Sequence, residues 1–113
     1  MYQVKEKDWK LFREKLPARQ EAYMERLMKA YAELIAGDEP ASARFWALDK
    51  RIRADRKRLG VCVDEVSRSK LQNILTGLII ENVISEDDLY DFSEELQKST
   101  HQWMQIFHRN LEE

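Results

Sequence analysis

The sequence predicts an all-α fold, a small helical bundle of about four main helices preceded by a short N-terminal one. Three observations predict it. Apolar residues recur at three- and four-residue steps along most of the chain, no segment alternates as a strand would, and only three Gly and two Pro interrupt 113 residues. Sandwiches and barrels need more punctuation. The length suits one domain, residues 1–113.

Asp8 is placed to cap the short first helix, whose apolar residues are Trp9, Phe12 and Leu16. Pro17 should end it, since the residue before a proline is pushed out of the helical region, and should open the second helix. That helix carries Met24, Leu27, Met28, Tyr31, Leu34 and Ile35 to about Ala36, with Gly37 as a left-handed stop. Phe45, Leu48, Ile52 and Leu59 define a core seam on the third helix, which Gly60 ends. Val61-Cys62-Val63 reads as a short extended link, with Cys62 a small buried hydrophobe. The fourth helix, Asp64 to Glu81, has the broadest apolar face and should be central, with a close approach by another helix at Gly77. Ser85-Glu86-Asp87-Asp88 resembles a capping box opening a fifth helix that runs to Leu111. Its tail of Trp103, Met104, Ile106 and Phe107 extends past what such a body covers, so a homodimer through the C-terminal helix is expected.

The single cysteine excludes an intramolecular disulfide scaffold. The N-terminal stretch lacks the apolar run of a signal peptide, and the longest apolar run, Gly77 to Ile80, is far too short for a membrane span. A cytoplasmic protein without membrane contact is therefore expected. No pattern of catalytic, cofactor or metal residues emerges. His101 and His108 lie seven apart, about 10.5 Å along a helix, too far to share one ion unaided. The glycines are isolated, so no phosphate loop forms. The acidic pairs around Asp91 read as a solvated helix face rather than acid–base machinery. A non-enzymatic protein with no cofactor is expected.

Charge is segregated. Arg44 to Arg58 holds seven basic residues against Asp49 and Asp55, and Glu81 to Glu95 holds seven acids and no base. By helical phase Trp46 stands with Lys50, Arg53 and Lys57, away from the Phe45 seam. Three readings follow. The basic segment and the acids, Asp87, Asp91 and Glu95 among them, face each other or water; or the basic face binds nucleic acid, with Trp46 for stacking; or Trp46 and Arg53 anchor a protein partner.

Two stretches carry a resemblance: Ala41-Ser42-Ala43-Arg44-Phe45-Trp46-Ala47-Leu48-Asp49-Lys50-Arg51-Ile52 with Gly60-Val61, and Asn82-Val83-Ile84-Ser85-Glu86-Asp87-Asp88-Leu89-Tyr90-Asp91-Phe92-Ser93-Glu94-Glu95-Leu96. With them the chain, from about Asp8 to Thr100, resembles a family of small all-helical bacterial proteins found on mobile genetic elements of gut bacteria. Some members carry the label "multidrug transporter", which a chain without a membrane span contradicts. The family brings no activity or functional residues. The resemblance implies an accessory role, such as an inhibitor that binds a host defence nuclease in the manner of anti-CRISPR proteins. The expected function is thus a non-enzymatic protein-binding accessory protein, with a small nucleic-acid-associated protein as the alternative.

Overall fold

The computed structural model describes residues 2–112, and among these there are four α-helices and no strand. They are α1 (Glu6–Ile35), α2 (Ala41–Asp55), α3 (Leu71–Ile80) and α4 (Glu94–Glu112). Short 3₁₀ turns, Arg68–Lys70 and Glu86–Leu89, lead into or connect the later helices.

The expected break at Pro17 does not occur: α1 runs through it as one 30-residue helix. A proline inside a helix removes one backbone donor and leaves the carbonyl four residues earlier, that of Arg13, without its helical partner. Here Pro17 is exposed, so water reaches that carbonyl. Anchors on both sides hold the axis. Phe12 and Leu16 are buried before the proline, and beyond it the Gln20 side-chain amide donates to the Leu59 carbonyl at 3.0 Å. Packing outweighs the local signal. Asp8 does not cap its own helix either; it lies inside the first turn, which starts after Lys5.

The core sits at one end of the molecule. Trp9, Phe12 and Leu16 from the first half of α1 meet Leu71, Ile74, Leu75, Leu78 and Ile79 of α3, closed by Val83, Leu89, Phe92, Leu96 and Met104. The expected central helix is indeed α3, but it begins at Leu71 rather than Asp64. Residues 61–67 are not helical, and Ser67 at φ −139° is still extended. Gly77 has the predicted close neighbour: a Cβ there would stand 2.5 Å from Leu59 Cδ1, a loop side chain rather than another helix. The left-handed stop falls at Asn82 (φ 60°), not at a glycine. Val83 N–H donates to Leu78 O at 2.9 Å and Asn82 N–H to Ile79 O at 3.0 Å, the Schellman pattern that satisfies the last carbonyls of α3.

Ser85 does form a capping box with Asp88, but on the 3₁₀ turn alone. The expected fifth helix is cut there, and α4 restarts after Ser93, whose Oγ accepts from Leu96 N–H at 3.2 Å.

The second half of α1 and α2 leave the core as a helical hairpin. This arm gives the molecule extents of 52 × 36 × 23 Å and a radius of gyration of 16.8 Å, against about 13 Å for a compact chain of this length. No residue of α2 is buried. Phe45 and Ile52, expected in the core, are 63% and 38% exposed, because α2 packs mainly on α1 and places none of its side chains in the core.

Candidate functional site: the outer face of the helical arm

The arm is held by polar contacts at both ends. Near its base the Tyr31 hydroxyl donates to Asp55 Oδ2 at 2.5 Å, and Arg51 stacks over the Tyr31 ring at 5.8 Å. Burial, with Asp55 beside it, pushes the Tyr31 phenol up to about 12. At the tip, Gly37 does not take the left-handed conformation expected of it. Arg44 does the capping instead: its guanidinium donates to Ile35 O at 2.5 Å and Glu39 O at 2.8 Å. At the base of the hairpin Tyr23 packs against the core, and a Cβ on Gly60 would come within 2.3 Å of its ring.

On the outer side of α2, Trp46 is 63% exposed and rests edge-on against Phe45, with ring centroids 5.0 Å apart and planes at 84°. Lys50 follows one turn on, and Arg53 beyond it is tied to Asp49 at 3.1 Å. The structure thus brings Trp46, Lys50 and Arg53 to one helix face. Lys57 does not share that face by helical phase, because α2 ends at Asp55 and Lys57 lies in the following turn. Arg56, one of the seven basic residues of this segment, is the C-cap residue of α2. Among the described residues, no carboxylate lies within 4 Å of Lys50, Arg56 or Lys57.

The acidic segment does not neutralise them. Asp91 pairs with Lys15, Asp88 with Arg19 at 3.1 Å and Glu95 with Lys5 at 2.9 Å, so these acids find their cations on α1 and just before it. The Lys15 ammonium, bonded to Asp91, holds that carboxyl below the ordinary range, and Lys5 does the same for Glu95. Among the described residues, only Arg58 with Glu81, at 3.6 Å, pairs a cation of the basic segment with a carboxylate of the acidic one. Asp91 and Glu95 therefore fasten the body, and Asp87 stays exposed with no cation within 4 Å among the described residues.

The strongest polar cluster escaped sequence reasoning altogether. Asp8, with no exposure, accepts from Ser93 N–H at 2.8 Å on one oxygen. On the other it accepts from Ser93 Oγ–H at 2.5 Å and Tyr2 O–H at 2.6 Å. Burial first, then the neighbouring Asp8, raises the Tyr2 phenol to about 12. This knot ties the N-terminal segment and the first turn of α1 to the N-terminus of α4. Residues 85 apart in sequence leave no local signal.

Cys62 is exposed rather than buried, with Sγ 3.8 Å from Asp64 Oδ1. His101 bonds Glu86 through Nδ1 at 3.1 Å, and among the described residues no three His, Cys, Asp or Glu side chains converge as a metal would need. Of the C-terminal tail, Met104 is 4% exposed and Phe107 packs on the core, so only Trp103 and Ile106 face outward, along an open groove of about 600 Å³ beside Val4 and Gln72. No helix is long and apolar enough to cross a membrane.

No family model, no curated protein and no solved structure matches this chain.

Proposed function

We propose that this chain is a non-enzymatic protein-binding accessory protein that docks an acidic protein surface on the outer face of α2. One observation carries the reading. A 15-residue helix holding Phe45, Trp46, Leu48 and Ile52 contributes no buried residue to the fold, so stability does not account for its aromatic and cationic side chains. Trp and Arg are the residue types that dominate interface energetics, and an exposed Trp46 beside Lys50 supplies an apolar anchor with a charged surround. A defence nuclease, the partner class implied by the resemblance, is one target within this reading.

The test is capture by the immobilised protein from nuclease-treated host extract, compared with Trp46→Ala and with Lys50→Glu/Lys57→Glu. Trp46→Ala should weaken the interaction by roughly 30-fold, the worth of about 2 kcal/mol at a buried anchor, without moving Tm. The charge reversals should mainly slow association. If capture instead vanishes on nuclease treatment and purified nucleic acid binds with a steep salt dependence, the partner is nucleic acid and the reading fails.

A further inference from the structure

The arm has a second open face, distinct from the one bearing Lys50. Met28 and Ile35 stand seven residues apart on α1, and Phe45 and Ile52 seven apart on α2, with exposures of 61%, 50%, 63% and 38%. Tyr31 and Leu48 mark the inward line of each helix. Measured from that line at 100° per residue, all four side chains are displaced in the same rotational sense by about 40–60°. In an antiparallel hairpin, equal displacement places them on one side. They make a flat apolar face of two layers, one at the tip and one nearer the base, with Ala32 and Asp49 between. The edge of this face is charged. Glu25 on α1 and Arg56, the C-cap residue of α2, share its side, and the Gln20–Leu59 and Arg44–Ile35 contacts set a hairpin register that brings them to about the same level. Among the described residues neither has an oppositely charged group within 4 Å.

We infer that this face pairs two copies of the chain, with α1 of one lying antiparallel across α2 of the other to form a four-helix bundle. Charge complementarity fixes the arrangement. With the two-fold axis along the hairpin, Glu25 meets the partner's Arg56 twice by symmetry, Met28 meets the partner's Ile52, and Ile35 meets the partner's Phe45. With the axis across the hairpin, α1 would lie on α1, and Glu25 would meet the apolar tip. Up-and-down packing of this kind buries one face of each helix and leaves the opposite face in water. Lys50 and Trp46 of both copies therefore remain outside, and the pairing is independent of the partner reading above.

Sedimentation equilibrium of the full chain, at low salt and up to high micromolar concentration, should give a dimer. Phe45→Asp, and separately Ile35→Asp, should give a monomer of unchanged helicity by circular dichroism. Glu25→Arg and Arg56→Glu should each weaken the dimer by about two- to fivefold, as expected for a rim pair, and the double exchange should restore it. A monomer at every concentration overturns the inference. So does a dimer that survives Phe45→Asp and Ile35→Asp, or one lost on Trp103→Glu instead, which would place the contact on α4. Failure of the double exchange to restore what the single changes weaken overturns it as well.

Discussion

Asp8→Ala should be the most damaging single polar substitution in the chain. The carboxylate is fully buried and accepts three hydrogen bonds, two from Ser93 and one from Tyr2. Hydrogen bonds to a charged acceptor contribute about 1.5–3 kcal/mol each, and a buried donor left without a partner costs about 1–3 kcal/mol. Truncation also removes the cost of holding a carboxylate out of water, which offsets part of the loss. Because Tyr2 is only partly buried and its hydroxyl can turn to solvent, the two Ser93 donors dominate, and a net loss of about 3 kcal/mol follows. For a domain near this size each kcal/mol moves Tm by about 4–8 °C, so a fall of roughly 12–24 °C is expected. Asp8→Asn keeps one acceptor for the Ser93 N–H and should lose about half as much. Urea unfolding followed by circular dichroism at 222 nm measures both. A loss under about 1 kcal/mol for Asp8→Ala would refute the reasoning, since it would mean the knot breaks even against desolvation.

Pro17→Ala should raise Tm, because the exposed site regains a helical donor for Arg13 O at no packing cost, an effect of about 1–3 kcal/mol; an unchanged melt would count against the account of α1. Gly60→Ala should destabilise by about 1–3 kcal/mol through overlap with the Tyr23 ring, and Tyr23→Ala in the same chain should remove most of the penalty seen by thermal melting. Phe45→Ala, measured at a concentration where the chain is monomeric, should change stability by less than about 1 kcal/mol, the opposite of a core position. Raised phenols stabilise the fold below the unfolded value near 10, and that contribution is lost as pH climbs through about 12. Absorbance at 295 nm should therefore lose a titration step near pH 12 in Tyr2→Phe and again in Tyr31→Phe. Asp91 has the opposite sign: its lowered value adds stability above the ordinary carboxylate range, lost as pH falls through the folded value, so Asp91→Asn should flatten the acid limb of a pH–Tm curve.

How much of this was legible in the sequence follows from the range of each interaction. The all-helical class and the central position of the fourth predicted helix, shortened to Leu71–Ile80, rest on local periodicity and composition, and the structure bears them out; the tight spot at Gly77 is real but is filled by the loop residue Leu59 instead of another helix. The capping box at Ser85 was legible too, yet its consequence was misjudged, because a cap says where a turn begins and not how long it lasts. Pro17 misled for the converse reason: the local penalty was outweighed by anchors at Phe12, Leu16 and Gln20. The Phe45/Ile52 spacing announced an apolar face correctly but could not say what it faces. Periodicity reports that a stripe is unsuited to water, and α2 shows that such a stripe can sit on a face the chain itself leaves open. At the candidate site, Trp46, Lys50 and Arg53 share a face as their phase requires, whereas Lys57 depended on where the helix ended. Asp87, Asp91 and Glu95 were separable only once Lys5 and Lys15 were seen beside the last two.

An arm that leans on one neighbour and buries none of α2 opens on its own terms. Proteins unfold in cooperative pieces whose opening energies run from near zero to the global value. Here the pieces are drawn by sequence distance. The hairpin is closed by a five-residue tip, 36–40, and contacts between near neighbours in the chain, so it re-forms quickly after each opening. The body closes only when Ser93 returns to Asp8 across 85 positions. Amide exchange should accordingly divide the chain in two, with the α2 amides released through frequent subglobal openings and those of α3 only when the whole body comes apart. A surface that visits open states this readily can settle against more than one shape of partner while the distant knot keeps the remainder of the molecule intact.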